Sequence, residues 1–212
     1  MKLYSYFRSS AAYRLRIALN LKGLDYDYIP VNLLRREHRG TDYLARNPQG
    51  LIPALELPQG EVLAQSLAIL EWLEETHPQP PLLPAEPLAR ARVRAVVGSI
   101  CCDTHPLCNV AVINHLREQL GAGEAAVNDW FRSWMYRSFG AVEQVLAHNG
   151  TPFAFGEAPG MADLVLVPQV FNARRFAVAL EPFPNLLRVV DHCNGLEAFR
   201  AATPERQPDS TA

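Results

Sequence analysis

The sequence predicts a small mixed α/β domain followed by an all-helical domain. Three features predict this arrangement: a strand–helix–strand order at the start, a proline-rich stretch, and helical periodicity in the long segments beyond it. The stretch holds more prolines than a helix or a strand accommodates, namely Pro78, Pro80, Pro81, Pro84 and Pro87. The predicted boundaries are 1–80 for the α/β domain, 81–87 for a stiff linker and 88–212 for the helical domain.

The first domain begins with a strand, a helix and a second strand. Residues 3–7 form a short apolar and aromatic run that is typical of a buried strand. Residues 10–22 carry apolar side chains at helical spacing, and Gly23 is a natural helix stop. Residues 26–29 alternate like a second strand, and the strand–helix–strand order implies that the two strands are parallel.

A hairpin and a helix complete the predicted α/β domain. Residues 52–57 and 61–63 flank a turn at 58–60, which indicates two antiparallel strands. An amphipathic helix follows Gln65, with Ser66 as its predicted N-cap. Beyond the linker, the predicted helices cover 86–102, 124–148, 161–176, 184–193 and 195–202.

The composition is that of an ordinary globular protein and excludes several functional classes. The 212 residues are 49% hydrophobic, and a net charge of −2 argues against a broad nucleic-acid or anionic-membrane surface. A chain of this size folds without a structural metal or disulfide. No apolar run approaches the ~18 residues of a membrane span, and the strand at the start leaves no room for a signal peptide.

The four cysteines show neither CxxC spacing nor a secreted framework, so a cytoplasmic location with reduced thiols is expected. The adjacent Cys101 and Cys102 are interpreted as small core side chains rather than a redox centre. Of the 20 basic residues only Lys2 and Lys22 are lysines. Codon bias in a GC-rich genome accounts for such a surplus; the functional alternative is carboxylate recognition, because the planar guanidinium binds carboxylates in a bidentate manner.

A family resemblance begins with the segment YSYFRSSAAYRLRIAL at residues 4–19. Matching motifs follow at 47–48, 52–53, 65–69, 72–75, 106–109, 161–164, 167–170, 172–176 and 206–209. This ordered set, which spans nearly the whole chain, resembles the zeta-class glutathione transferases. The resemblance implies a thioredoxin-like N-terminal domain, an all-helical glutathione transferase C-terminal domain, glutathione as the cofactor and a homodimer.

The resemblance also implies a reaction, the glutathione-dependent cis–trans isomerisation of a small acidic diketone. Maleylacetoacetate would become fumarylacetoacetate in tyrosine and phenylalanine breakdown, through thiolate addition, bond rotation and elimination. The alternatives are isomerisation of maleylpyruvate, general conjugation of glutathione, and binding without catalysis. Bacterial proteins of the maleylpyruvate group carry arginines after the position of Asn109, whereas this chain has Val110 and Ala111, which favours maleylacetoacetate.

Ser9 lies where the first predicted strand meets the first predicted helix, and this position suits a thiolate. The positive end of a helix dipole and the open amides of the first turn lower the pKa of a thiol placed there. The resemblance assigns Ser9 a hydrogen bond to the glutathione sulfur, with Ser10 in reserve and Tyr6 as a rival. Simple capping of the helix by Ser9 and Ser10 is the structural alternative.

The resemblance implies further glutathione-binding residues. A cis peptide at Ile52-Pro53 would offer the Ile52 backbone to the cysteinyl unit, whereas the alternative is an ordinary edge-strand proline. Ser66 at a helix N-terminus, helped by Gln65, suits the γ-glutamyl carboxylate. The remaining candidates are Gln49 and His38 for the glycyl end, and Asp103 and His105 at the end of the first helix beyond the linker.

Arg8 and Arg175 are the candidate substrate clamps, because bidentate arginine suits a substrate with carboxylate ends. Arg8 adjoins Ser9, and Arg174 and Arg175 follow on one predicted helix, where the resemblance favours Arg175. Solvated surface charge is the alternative for these arginines.

Three positions depart from the family pattern. Ala11 and Tyr13 stand where the family usually carries cysteine and tryptophan, and Gly160 stands where it carries serine or threonine. The loss of a thiol at Ala11 argues against thiol-dependent reductive dehalogenation. Gly160 is still a tolerable helix cap.

Overall fold

The computed structural model describes residues 1–210, which fall into two compact units. The first unit comprises Met1–Leu82 together with the chain from Asn194 onward, and the second is Leu83–Cys193. The strands of the first unit are Lys2–Ser5 (β1), Asp27–Pro30 (β2), Ala54–Glu56 (β3) and Val62–Ala64 (β4). They form one sheet in the order β2-β1-β3-β4. The β1–β2 pair is parallel and the β1–β3 and β3–β4 pairs are antiparallel, so the predicted topology is confirmed.

Three helices belong to the first part of this unit: Ser10–Leu21 (α1), Thr41–Leu44 (α2) and Ser66–Thr76 (α3). Leu15 and Leu19 of α1 and Leu70 of α3 are fully buried where the two helices pack together. The start of α3 differs from the prediction, because Gln65 occupies the N-cap position and Ser66 is the first helical residue. Ser66 is therefore not a cap, and its hydroxyl has another partner.

The second unit is all helical. Its helices are Pro87–Gly98 (α4), Val110–Glu118 (α5), Glu124–Asn149 (α6), Met161–Arg175 (α7) and Pro184–Asn194 (α8), and α4 runs into a π-helical turn, Ser99–Thr104. Phe131 and Phe139 of α6 are fully buried, and Phe131 stacks on Phe176 with 3.8 Å between ring centroids. The predicted class of fold, α/β followed by all-α, is confirmed.

Two features of the second unit explain departures from the sequence pattern. Helix α5 was not predicted, although the Asn109 side chain caps its start by accepting a hydrogen bond from the Val112 amide; Ile113 is its one buried residue. Gly160 has no side chain to cap α7, but the buried Asp163 carboxylate accepts hydrogen bonds from the amides of Gly160 and Ala154, both at 2.9 Å. Asp163 thus holds the start of α7 from within the helix.

The segment after α8 belongs with the first unit and not with the helical domain predicted at 88–212. It carries a short helix, Glu197–Ala201 (α9), which packs on α1. Asn20 donates from Nδ2 to the Ala198 carbonyl at 3.0 Å, and Arg16 donates from Nε to the Ala202 carbonyl at 2.9 Å. These bonds satisfy polar side chains of α1, which explains why the segment returns to the first unit.

Within residues 1–210, no helix has the length and apolar character needed to cross a membrane. The same residues contain no cluster of histidine, cysteine and carboxylate side chains able to hold a metal ion. All four cysteines are free; Cys108 and Cys193 are buried, whereas Cys102 is exposed. The interpretation of Cys101 and Cys102 as core residues is therefore wrong for Cys102, which lies in the π-helical turn where the helical register shifts.

Candidate functional site

Ser9 occupies the N-cap of α1, as its place between strand and helix predicts. Its backbone is extended, and its Oγ accepts a hydrogen bond from the Ala12 amide at 3.2 Å. Ser9 is partly exposed, whereas Ser10 is buried at 6% exposure. The first turn of α1 contains no acidic residue, so the positive end of the helix dipole is not neutralised there. A sulfur placed beside Ser9 would therefore be held as a thiolate.

The loop before Ser9 places Arg8 and Tyr6 differently. Arg8 is exposed, and its guanidinium lies over the Phe7 ring at 4.8 Å, in the geometry of a cation–π contact. Tyr6 is buried at 6% exposure, and its ring meets that of Phe7 edge to face. Arg8 is thus the residue of this loop that can reach a soluble anion, and Tyr6 packs within the hydrophobic cluster of the unit.

The peptide bond between Ile52 and Pro53 is cis, as predicted. Ile52 lies just before β3 and packs in the same hydrophobic cluster as Tyr6 and Phe7, so the two loops are neighbours. The loop before Ile52 is held at the Leu51 carbonyl, which accepts hydrogen bonds from Tyr43 OH at 2.6 Å and from Asn47 Nδ2 at 2.7 Å.

Gln65 and Gln49 are brought together by a side-chain hydrogen bond from Gln65 Nε2 to Gln49 Oε1 at 2.7 Å. Arg39 donates from Nη1 to the Gln49 carbonyl at 3.2 Å. Gln65 has φ of +68°, which is rare for a residue with a side chain and is characteristic of ligand-binding positions. Two predicted glutathione-binding residues thus share one polar cluster.

Ser66 has a charged partner that the sequence did not point out. Arg14 of α1 is 2% exposed, and its Nη1 donates to Ser66 Oγ at 3.2 Å. A buried guanidinium beside an open helix N-terminus makes this corner strongly attractive to a carboxylate. The signal available in the sequence was an arginine inside the apolar face of a predicted helix, since such a charge requires a partner.

His38 and Gly50 approach each other closely. Gly50 has φ of +60°, and a Cβ at this position would stand 2.8 Å from the His38 carbonyl oxygen, so no larger residue fits. Burial lowers the pKa of His38, and the neighbouring Arg39 and Arg36 lower it further. Its Nδ1 is buried and has no hydrogen-bond partner in the described chain. His38 is therefore a neutral imidazole near pH 7.

Three predicted site residues lie in the second unit. Asp103 is exposed in the π-helical turn, and His105 directly follows that turn. Arg175 is the exposed last residue of α7 and has its guanidinium over the Phe176 ring at 5.1 Å. Arg174, by contrast, lies 3.8 Å from Asp191 in an ion pair. The glutathione and substrate roles of these residues stay predictions.

A pocket of about 500 Å³ lies elsewhere in the first unit, beside α2 and β2. Its rim includes Arg46, which donates to Tyr4 OH at 2.9 Å and to the Asp42 carbonyl at 2.7 Å. Its lining contains none of the predicted site residues. An open helix end and exposed side chains instead coincide around Ser9, the region that the sequence predicts for the site.

The sheet order β2-β1-β3-β4, with helices α1 and α3 packed together, defines a thioredoxin-like domain. Models of the N-terminal and C-terminal domains of glutathione S-transferases match residues 8–76 and 113–192. The chain is 51% identical to a Pseudomonas aeruginosa protein named maleylacetoacetate isomerase, over 100% of both chains. The chain belongs to the glutathione S-transferase family, in its zeta class.

Solved structures agree with this assignment. A maleylpyruvate isomerase described as a bacterial zeta-class glutathione S-transferase superposes with a TM-score of 0.97 at 48% identity, over 100% of both chains. A maleylacetoacetate isomerase from Methylobacterium extorquens, with bound malonate and glutathione, gives a TM-score of 0.95 at 38% identity over 100% of both chains. The likeness thus covers both units.

Proposed function

We propose that this protein is a glutathione-dependent isomerase that converts maleylacetoacetate into fumarylacetoacetate. The observation that carries the proposal is the Ser9 hydroxyl at the unneutralised N-terminus of α1, next to the loop with the cis Ile52-Pro53 peptide. This arrangement stabilises a thiolate without any further base. The names of the most similar full-length relatives support the same activity.

The first unit offers groups that fit each part of glutathione. The Arg14–Ser66 corner fits the γ-glutamyl carboxylate, and the Ile52 backbone fits the cysteinyl amide groups. Gln49 and His38 are proposed for the glycyl end, with Asp103 and His105 as further contacts. When bound, glutathione supplies a thiolate that adds to the cis double bond, permits rotation and leaves again. The Ser9 hydroxyl and the amides at the start of α1 stabilise the negative charge of the sulfur.

Arg8 and Arg175 are proposed to bind the carboxylates of the acidic diketone. Both guanidinium groups are exposed and supported on an aromatic ring, which limits their freedom before substrate arrives. A preoriented guanidinium binds a carboxylate with two parallel hydrogen bonds. Each arginine is proposed as a substrate-binding residue and not as a proton donor.

Isomerisation of maleylpyruvate is the second candidate, favoured by the high similarity to the maleylpyruvate isomerase structure. Val110 and Ala111, at the start of α5, argue against it, because both are exposed and neither binds an anion. Conjugation of glutathione to electrophiles is a further activity that the same thiolate would support.

We also propose a homodimer in the cytoplasm, where glutathione and the four free cysteines stay reduced.

The test follows the absorbance of maleylacetoacetate and of maleylpyruvate with and without glutathione. We expect rapid loss of maleylacetoacetate only with glutathione, and no product that contains glutathione.

Ser9→Ala should lower kcat by about 100-fold, the size typical of losing one charge-stabilising hydrogen bond. Ser9→Thr, which keeps hydroxyl and cap, should recover most of it, and the exposed Ser133→Ala should match wild type. Unchanged turnover in Ser9→Ala would contradict the assigned role.

A further inference from the structure

A fully buried arginine holds the chain just before Ser9. Arg16 is 0% exposed, and its Nη2 donates to the Phe7 carbonyl at 3.0 Å. Its Nη1 lies 3.2 Å from Ser5 Oγ and 3.5 Å from the Tyr6 carbonyl. The guanidinium therefore contacts the acceptors of three consecutive residues that lead into the Ser9 turn.

The opposite side of the same loop is held by Asp209, about 200 residues further along the chain. Its Oδ2 accepts a hydrogen bond from the Phe7 amide at 3.1 Å. Its Oδ1 accepts one from Tyr28 OH of β2 at 2.5 Å, which fixes the carboxylate against the sheet. The Phe7 amide thus donates to the Asp209 carboxylate, and the Phe7 carbonyl accepts from the Arg16 guanidinium.

These contacts reach Ser9 through a single carbonyl group. The Tyr6 carbonyl accepts both the Ser9 amide, at 2.9 Å, and Arg16 Nη1. A peptide unit is planar, so fixing the Phe7 amide fixes the Tyr6 carbonyl that belongs to the same unit. The direction of the Ser9 amide and hydroxyl therefore depends on Arg16 and Asp209.

The two charged groups of this network differ in exposure, since Arg16 is fully buried and Asp209 is partly exposed. Burial lowers the pKa of Arg16, whereas nearby tyrosines, first Tyr28, and to a smaller extent Asp209 raise it. Burial also raises the pKa of Tyr28, so its hydroxyl remains a donor to Asp209. A buried charge is stable only with such partners. Removal of one partner leaves the remaining polar groups without a hydrogen-bond donor or acceptor.

We propose that Asp209 and Arg16 are positioning residues for the thiolate site, which makes the segment after α9 a part of the active-site framework. The inference rests on the proposed function, because it takes Ser9 as the group that faces the glutathione sulfur. Neither residue contacts the sulfur. Both act by fixing the positions of the Ser9 hydroxyl and the Arg8 backbone.

The test is the pKa of the glutathione thiol bound to the enzyme, followed by the ultraviolet absorbance of the thiolate against pH. In Asp209→Ala we expect this pKa to rise above that of wild type and kcat to fall by about 10- to 100-fold, since small misplacements of catalytic groups have effects of this size. The KM for glutathione should change less than kcat, because the Arg14–Ser66 corner is untouched. Glu205→Ala, an exposed carboxylate of the same segment, is the matched control and should behave like wild type.

A purely structural role for Asp209 would lower the yield or the melting temperature without moving the thiol pKa of the folded fraction. That result, with wild-type kcat per folded enzyme, would overturn the proposal. Should Asp209→Ala fail to fold, Tyr28→Phe provides the second variant, because it removes the hydroxyl that donates to the carboxylate and keeps Asp209 itself. It should shift the thiol pKa in the same direction by a smaller amount, and an unchanged pKa would again overturn the proposal.

The proposed function and this inference fail in different ways. A wild-type enzyme that binds glutathione but isomerises neither substrate would refute the isomerase activity. The thiol pKa would still be measurable in that enzyme, so the comparison of wild type with Asp209→Ala would still decide the positioning role.

Discussion

Helices α1 and α7 have similar lengths and each carries two arginines, but the two pairs of arginines have opposite environments. Arg14 and Arg16 are 2% and 0% exposed, whereas Arg174 and Arg175 are both exposed. Arg16 donates to backbone and side-chain acceptors inside the unit, whereas Arg174 has an ion pair at 3.8 Å. A guanidinium thus organises a fold where its donors meet buried carbonyls, and it can recognise substrate where it faces solvent.

The largest effect is expected from Arg16→Met. This change leaves the buried carbonyls of Phe7 and Ala202 without their guanidinium donor. Leaving a buried acceptor unsatisfied costs about 1–3 kcal/mol each in the free energy of unfolding. Urea unfolding followed by circular dichroism measures it, and the exposed Arg174→Met should stay within about 0.5 kcal/mol of wild type. Equal losses in both variants would remove the contrast between the two helices.

Arg14→Met should act mainly on the binding of glutathione. It removes the charged donor to Ser66, and a hydrogen bond to a charged group contributes about 1.5–3 kcal/mol, so the Kd for glutathione should rise at least tenfold. Titration calorimetry measures this Kd directly. Arg175→Gln serves as the control, since it should leave the Kd for glutathione at the wild-type value. A wild-type Kd in Arg14→Met would show that the carboxylate binds elsewhere.

Arg175→Gln should raise the KM for maleylacetoacetate about tenfold, because one charge-assisted contact to a carboxylate is lost. The free energy of unfolding should not change, since the side chain is exposed. Steady-state kinetics at fixed, saturating glutathione measures the effect, with Arg174→Gln as the matched variant. A larger effect in Arg174→Gln would reassign the substrate contact to its neighbour.

The smallest effect is expected at His38, where partial burial and, to a smaller extent, two neighbouring arginines lower the pKa. Because burial, Arg39 and Arg36 lower the pKa of His38 in the folded state, the unfolded chain binds the proton more readily. Stability should therefore rise with pH up to the unfolded pKa of about 6.5 and fall as the pH drops below it. His38→Gln should lose less stability than wild type between pH 7 and 5, by under about 1 kcal/mol given solvent screening. Parallel curves for the two proteins would contradict this account.

Much of the fold followed from local patterns in the sequence. The order of strands, the bounds of α1, α6 and α7, and the cis Ile52-Pro53 peptide agree with prediction within a few residues. The strands and helices depend on residues close together in the chain, such as those at helical spacing, whereas the cis peptide was implied by the family resemblance. The position of Ser9 at the start of α1 is of the same kind, since it follows from the short segment that joins β1 to α1.

Other features had little or no local signal. Gln65 rather than Ser66 occupies the N-cap position of α3, and Cys102 faces solvent. Each outcome depends on how a short segment packs against distant parts of its unit. For the burial of Arg14 the one signal was its place on the apolar face of a predicted helix, and the partners that make the burial stable come from elsewhere in the fold.

The sequence by itself determined the α/β and all-helical organisation, the helix start after Ser9, and the resemblance that points to glutathione and to the cis Ile52-Pro53 peptide. Only the tertiary structure decided that Arg14 donates to Ser66, that Arg16 and Asp209 both hydrogen-bond to the Phe7 backbone, and that the segment after α8 returns to the first unit. The physical reason is the distance along the chain between interacting residues. Helix spacing and caps are satisfied within a few residues, whereas a buried charge is stable only when partners from far along the chain arrive beside it.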